Sequence, residues 1–180
     1  PHLRVIDKEN GKKFDAINAA VNATTTPYFI VVDADTVIDE NGVRALIRPL
    51  FTRTDVLAIG VSVRVKNDCK FENNSVSTEG TPKHYLTGMQ TIEYLRGFMI
   101  RLGWDLLGGN VVIAGAFSLF HTQSIVKVGG FFDTVGEDME IIIRLHRLMK
   151  SAKQKYRIFY LPDPIAWTEA PTKVKEIVSQ

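Results

Sequence analysis

The apolar run Tyr-Phe-Ile-Val-Val at residues 28–32 constrains this chain more than any other stretch, because it stops abruptly on Asp33-Ala34-Asp35. Successive side chains of a strand point to opposite faces. A strand can be apolar at every position only where both faces are covered, as in the centre of a sheet with layers on either side. The run predicts an α/β fold with residues 28–32 as a central strand. Carboxylates just past the end of such a strand fall where open α/β sheets collect ligands. In extended chain, Asp33 and Asp35 face the same way and could share one cation. Mg²⁺ is typically held by one or two carboxylates plus substrate phosphates. Two aspartates two apart are also a cheap pattern, and by themselves they fit a solvated strand-end turn better than a metal site.

Around this strand the chain alternates strand-like and helix-like pieces, the sign of a mainly parallel sheet flanked by helices. Residues 3–6 read as a short strand and 13–21 as a helix. A helix from about 40 to 51 is capped by Asp39 and ended or kinked by Pro49. Residues 56–65 return as a strand, and 66–83 are a polar, turn-rich loop. Residues 84–107 read as a long amphipathic helix, interrupted at Gly88, Gly97 or Gly103. Strands follow at 111–114, 117–120 and 157–161, a helix at 138–149, a loop at 165–171 and a final helix from 172. The uncharged stretch 106–126 is long enough to span a bilayer, but its glycines, Asn110, His121 and Gln123 make a buried strand and turn the better reading.

Three further segments carry chemistry. Lys8-Glu9-Asn10-Gly11-Lys12-Lys13 is a basic, glycine-containing turn that feeds a helix, suited to holding phosphate. It lacks the P-loop spacing, and a solvated basic turn is the bland alternative. Gly136-Glu137-Asp138 opens a helix. Acids are common in a first turn for capping and dipole reasons, while a carboxylate there also suits a general base. Trp167-Thr168-Glu169 offers an aromatic and an acid for a sugar-binding wall, against an ordinary packed loop. His121 and His146 have no partner at metal-ligand spacing and read as structural.

Composition removes other classes. There are 22 Lys and Arg against 20 Asp and Glu, a net charge of +2, spread along the chain. That is not the footprint of a nucleic-acid binder, so no nucleic acid is expected as a partner. The single cysteine, Cys69, excludes an internal disulfide framework and suits a reducing compartment.

In their order along the whole chain, these segments resemble the family 2 glycosyltransferases that polymerise sugars at membranes, such as the cellulose, hyaluronan and poly-N-acetylglucosamine synthases. Residues 8–18, KENGKKFDAIN, are similar to that family's basic turn and helix, with Lys13 at the diphosphate-contacting lysine. Asp33-Ala34-Asp35 is similar to its DxD, which binds metal and nucleotide. QTIEY at 90–94 and GAFSLF at 115–120 resemble its interface helix and acceptor-side strand. Gly129-Gly130-Phe131 followed by Gly136-Glu137-Asp138 resembles the segment bearing the catalytic base. TEAPTKVKEIVSQ at 168–180 resembles the approach to the Q-x-x-R-W motif. Lys12 and Phe14 depart from the pattern, which usually has glycine and a small residue there.

The resemblance implies a GT-A type, Rossmann-like domain, part of a larger enzyme, with its N-terminal strands and the end of the last motif lying outside these residues. Such a piece is expected to be inactive alone. The implied reaction is inverting transfer from a UDP-sugar, N-acetylglucosamine favoured, to a growing β-linked polysaccharide. Asp138 would be the general base. Lys13, Asp33, Asp35 and Gln180 would hold the nucleotide sugar, with Asp33 and Asp35 binding Mg²⁺ or Mn²⁺. Gly115, Ala116, Glu137 and Trp167 would lie on the acceptor side. The expected setting is the cytoplasmic side of an inner or plasma membrane, with helix 84–107 along the membrane face and oligomers through exposed sheet edges. The alternatives are a binding module for nucleotide sugar or glycan without catalysis, and a nucleotidyltransferase.

Overall fold

The computed structural model describes residues 3–72, 75–78 and 80–173. In chain order the elements are α1 (Lys12–Ala23), β1 (Tyr28–Val32), β2 (Val37–Ile38), α2 (Gly42–Ile47), β3 (Val56–Val65), β4 (Lys70–Glu72), β5 (Ser75–Thr78), α3 (Tyr85–Leu106), β6 (Phe117–His121), α4 (Thr122–Lys127), α5 (Glu137–Ser151) and β7 (Arg157–Thr168). Strands β1, β6, β3, β7 and β2 form one sheet in that spatial order, while β4 and β5 pair as a separate hairpin.

The fold is mixed α/β, as expected, but with a smaller parallel share. Only β3 and β7 pair in parallel, whereas β1–β6, β3–β6 and β2–β7 are antiparallel. The reason is an insertion. β1, β3 and β7 all run one way, and β6 enters the sheet between β1 and β3 in the opposite sense. The C-terminal ends of the three co-directional strands therefore open on the same side.

β1 is an edge strand among the described residues, not a central one, and four of its five residues are half-buried. Its unbroken apolarity reports two covered faces rather than a central place. Phe29 and Val31 pack into one core with Val21, Ile141, Ile142 and Leu145 of the two flanking helices. Tyr28 and Ile30 pack into a second core with Leu46, Ile59, Val61 and Phe117 on the opposite face. β3 lies between these cores and is buried at nine of its ten positions.

Several local expectations are corrected. Residues 3–6 form no strand: Leu3 and Val5 are exposed, and the segment is pinned where Arg4 Nη1 donates to the Ala23 carbonyl at 2.7 Å. Residues 111–114 form no strand and instead pass over β3. A Cβ on Gly60 of β3 would come 2.6 Å from Ile113 Cβ, so glycine is what admits this crossing. α3 runs unbroken through its three glycines, since each costs only about 1 kcal/mol against alanine. β7 continues to Thr168 by way of register shifts against β3, taking up half of the expected loop. The loop at 66–83 contains the β4–β5 hairpin. The helix after Asp39 starts later and is split: α2 is followed by a 3₁₀ turn, Arg48–Phe51, with Pro49 near its start. Asn41, not Asp39, is the N-cap of α2; Asp39 closes the turn before it, accepting the Asn41 N–H at 2.9 Å. The last expected helix falls largely on residues 174–180, outside the described residues.

Candidate active site

Sequence order separates Lys13, Asp33, Gly115, Ala116, Glu137 and Asp138 by up to 125 positions, yet all six line one cleft of about 500 Å³. It lies at the C-terminal ends of β1 and β3 and the entry to β6. Asp33 follows β1 directly, and its N–H donates to the Ala116 carbonyl at 2.9 Å. The Thr36 N–H then donates to the Asp33 carbonyl at 3.1 Å, closing a turn over residues 33–36. A turn, not extended alternation, therefore sets the two carboxylates. Asp35 Oδ2 accepts the Thr168 hydroxyl at 3.1 Å and the Asp35 carbonyl accepts Lys66 Nζ at 3.3 Å, which fastens this turn to the end of β7.

Lys13 stands in the first turn of α1, and its ammonium is the positive centre of the cleft. It lies 2.6 Å from Asp33 Oδ1 and 3.9 Å from Glu137 Oε1, and it donates to the Gly115 carbonyl at 3.4 Å. Gly115 lies between that ammonium and Asp138: a Cβ there would touch Lys13 Nζ at 3.4 Å and Asp138 Cβ at 3.9 Å, ordinary contact distances. The turn before α1 is shaped by Asn10, whose Oδ1 accepts the Lys12 N–H at 3.0 Å. Lys12 adopts φ 68°, a left-handed conformation that favours glycine, and its side chain reaches Asp133 Oδ2 at 2.7 Å.

Asp138 is the second residue of α5, which begins after Gly136 at φ 82°. The Met139 N–H donates to Asp138 Oδ1 at 2.9 Å and so orients the carboxylate from its own helix end. The preceding segment is held from two sides. Asn18 of α1 forms a reciprocal pair with Phe131, donating to its carbonyl and accepting its N–H, each at 2.8 Å. Arg144 of α5 donates to the Val128 and Gly130 carbonyls, pairs with Glu140 and packs over the Phe132 ring at 3.9 Å.

Trp167 is not among the residues lining this cleft. It is buried, meets Phe71 edge-on at 6.2 Å between ring centroids and lines a neighbouring cavity of about 260 Å³ with Tyr94 and Phe98. Gln180 lies outside the described residues. His146 is structural as expected, bonded to Tyr156 Oη and the Asn110 carbonyl at 2.6 Å each.

The sequence reading missed one wall. Glu93, Tyr94, Gly97 and Arg101 of α3 also line the cleft. Burial first, then the Asp35 carboxylate and to a smaller extent Asp33, push the Tyr94 hydroxyl above the usual phenol range, against a downward pull from Arg101. The signal was the spacing of Glu93, Gly97 and Arg101 at successive i+4 steps, overshadowed by the apolar stripe on the same helix.

The donor set suits a divalent cation completed by a substrate. Asp33 supplies hard oxygens to the cleft, while Asp35, two residues on in the same turn, is not among the residues that line it and accepts the Thr168 hydroxyl. No group of three or more metal-ligating side chains occurs among the described residues. Two carboxylates without a full protein cage is the arrangement expected where substrate phosphates and waters fill the remaining positions. The ammonium against Asp33 marks the same spot as one that accepts positive charge.

Comparison with known proteins agrees with this fold. The sequence matches the family described as "Glycosyltransferase like family 2" over residues 1–180. It is similar to the poly-beta-1,6-N-acetyl-D-glucosamine synthase of Staphylococcus aureus strain COL, 28% identical over 168 residues that make up 91% of this chain and 35% of that protein. The synthase of the same name from Staphylococcus epidermidis is 27% identical over 96% of this chain and 38% of its own length. The chain thus spans little more than a third of these relatives. Among solved structures, the fold resembles the mannosyltransferase PcManGT from Pyrobaculum calidifontis, described in complex with GDP-Man and Mn²⁺, with a TM-score of 0.64 and 16% identity over 97% of this chain and 41% of that one. The class defined by fold and site is that of the glycosyltransferases. The chain belongs to glycosyltransferase-like family 2.

Proposed function

We propose that this chain is the catalytic core of an inverting transferase that moves a sugar, N-acetylglucosamine, from its UDP donor to the end of a growing β-linked polysaccharide. The observation that carries the reading is the convergence of Lys13, Asp33 and Asp138 on one cleft. Inversion needs the base and the departing diphosphate on opposite sides of the sugar. Asp138 takes the proton of the acceptor hydroxyl as that oxygen attacks the anomeric carbon, assistance worth about 10²–10⁴-fold. Lys13, anchored beside Asp33, supplies a cation to the diphosphate. Asp33 and Asp35 are the residues that would hold Mg²⁺ or Mn²⁺, which would supply positive charge to the departing diphosphate. The choice of donor sugar is supported by the names of the two staphylococcal relatives.

The test is Asp138→Asn in the intact protein, assayed for sugar transfer and for UDP binding. Transfer should vanish while UDP binding stays nearly unchanged, and equal loss of both would overturn the base assignment.

The setting belongs to the same proposal: the domain works on the cytoplasmic side of a membrane, with α3 along its surface. No described helix is long and apolar enough to cross a membrane. α3 does carry an exposed apolar stripe that includes Tyr85, Met89, Ile92, Met99 and Leu106, which supports an interfacial helix. Ile92→Glu with Met99→Glu should release the protein from anionic lipid vesicles in flotation. Unchanged flotation would remove α3 from the membrane face.

A further inference from the structure

α3 turns its apolar stripe outward, but a different face of the same helix looks into the cleft. Glu93, Gly97 and Arg101 line it at one-turn intervals, with Tyr94 beside them. Each step is about 6 Å along the axis, comparable to the width of one pyranose ring. In the middle of this face there is no side chain. A Cβ built on Gly97 would meet nothing within 4 Å, so the glycine is not demanded by packing. It is not demanded by backbone conformation either, since α3 is continuous there and only Gly108, Gly129, Gly130 and Gly136 adopt positive φ among the described glycines. A glycine in a helix interior costs stability, and here neither packing nor conformation repays it.

Charged groups stand on either side of the gap. Arg96 Nε and Nη2 donate to Glu93 Oε2 at 3.1 and 2.5 Å. Burial pushes the Tyr160 hydroxyl up, and the Arg101 guanidinium beside it pulls the other way. The gap is thus flanked by an anchored acceptor, Glu93, at one end and a cationic donor, Arg101, at the other. The cleft as a whole is lined by four carboxylates, of Asp33, Glu93, Glu137 and Asp138, against the cations of Lys13 and Arg101. That balance disfavours a phosphate at the α3 wall. It suits a neutral ring that offers hydroxyl donors to Glu93 and acceptors to Arg101.

We infer that the Glu93–Gly97–Arg101 face of α3 is the seat of a pyranose ring, with Gly97 left bare to admit it. The inference rests on the transferase reading of the same cleft. The ring is either the glycosyl unit of the donor or the terminal unit of the acceptor, and both present the same chemistry to α3.

Gly97→Leu in the intact protein separates these cases. The substitution enters open space and replaces glycine by a better helix former, so the melting temperature should hold or rise. UDP binding, measured by calorimetry, should be unchanged. The Michaelis constant for one sugar-bearing substrate should rise by about ten-fold or more, in line with what misfit of a few methylenes costs in a pocket. A rise for acceptor oligosaccharide alone assigns the seat to the acceptor, and a rise for UDP-sugar with UDP binding intact assigns it to the donor glycosyl. Unchanged constants for both, with Asp138→Asn still inactive, overturn the seat and leave the transferase reading standing. Loss of UDP binding in Gly97→Leu also overturns it, by making the face a nucleotide site. Failure of the unsubstituted protein to transfer any sugar overturns both.

Discussion

The ammonium of Lys13 lies 2.6 Å from Asp33 Oδ1, so the first cation at the cleft mouth is the protein's own. A lysine in that place has two opposed effects. On the proposed function it would compete with a metal ion for Asp33, and it would help to hold the diphosphate of the donor. Lys13→Met should therefore tighten Mn²⁺ binding to the nucleotide-free protein. The same change should weaken UDP binding by about ten-fold, the size expected for one lost charge-assisted hydrogen bond. Calorimetric titrations of Mn²⁺ alone and of UDP with Mn²⁺ measure the two separately. Weaker or unchanged Mn²⁺ binding would show that Lys13 does not compete for Asp33, and unchanged or tighter UDP binding would show that it does not hold the diphosphate.

The conformation of Lys12 gives a second test. At φ 68° it sits where an L side chain crowds its own backbone, at a cost of about 1–2 kcal/mol that glycine avoids. Its ion pair with Asp133 is exposed on both sides and contributes little in return. At an ordinary helix position alanine is the more stable choice over glycine. Here the order should invert, with Lys12→Gly more stable than Lys12→Ala by about 1 kcal/mol in chemical denaturation. The ordinary order, alanine above glycine, would mean the turn relaxes out of the left-handed region.

How far such features could be read from sequence depends on which force set them. β3 was legible to the residue because burial on both faces leaves an apolar run with clear ends. β1 was legible as a strand but not in its place, since two packed faces look alike at the centre and the edge of a sheet. The direction of β6 was hidden because alternating helices and strands do not say which strand is inserted between two others. Lys13, Asp33, Gly115 and Asp138 were found by motif order, and the structure brings them to one cleft. The α3 wall was lost because a polar i+4 series on an amphipathic helix looks like any solvated face. Gly60 could not be understood without Ile113, which lies 53 positions away and lands on it.

Asn18 of α1 holds the segment that leads into α5. Its amide both donates to and accepts from the Phe131 backbone, and Gly130 passes so close that a Cβ would come 2.5 Å from Asn18 Oδ1. Asn18→Ala should cost about 2 kcal/mol, the sum of two part-buried backbone hydrogen bonds. Asn18→Asp should not restore it, because an ionised carboxylate accepts the Phe131 N–H but has nothing to donate to the Phe131 carbonyl. Equilibrium unfolding of the three proteins decides the point. Full recovery in the aspartate variant would mean that the bond to the Phe131 carbonyl contributes nothing.

His121 supplies a pH dependence far from the cleft. It ends β6, stacks at a tilt on Tyr28 with centroids 5.1 Å apart and shares a hydrogen bond with Ser124 Oγ at 2.9 Å. Burial first, and the Lys127 charge second, hold its imidazole below the ordinary value of 6.5. The unfolded chain therefore takes up the proton at a higher pH than the folded protein does. Stability from this group is complete above about 6.5 and is lost as the pH falls through the interval down to the lower folded value, below which it changes no further. His121→Gln should flatten this part of the profile. The difference in unfolding free energy between the parent protein and the variant should be constant above pH 7, and should shift against the parent protein between pH 6.5 and 5. A difference that does not vary with pH over that interval would show that His121 titrates alike in the folded and unfolded chains.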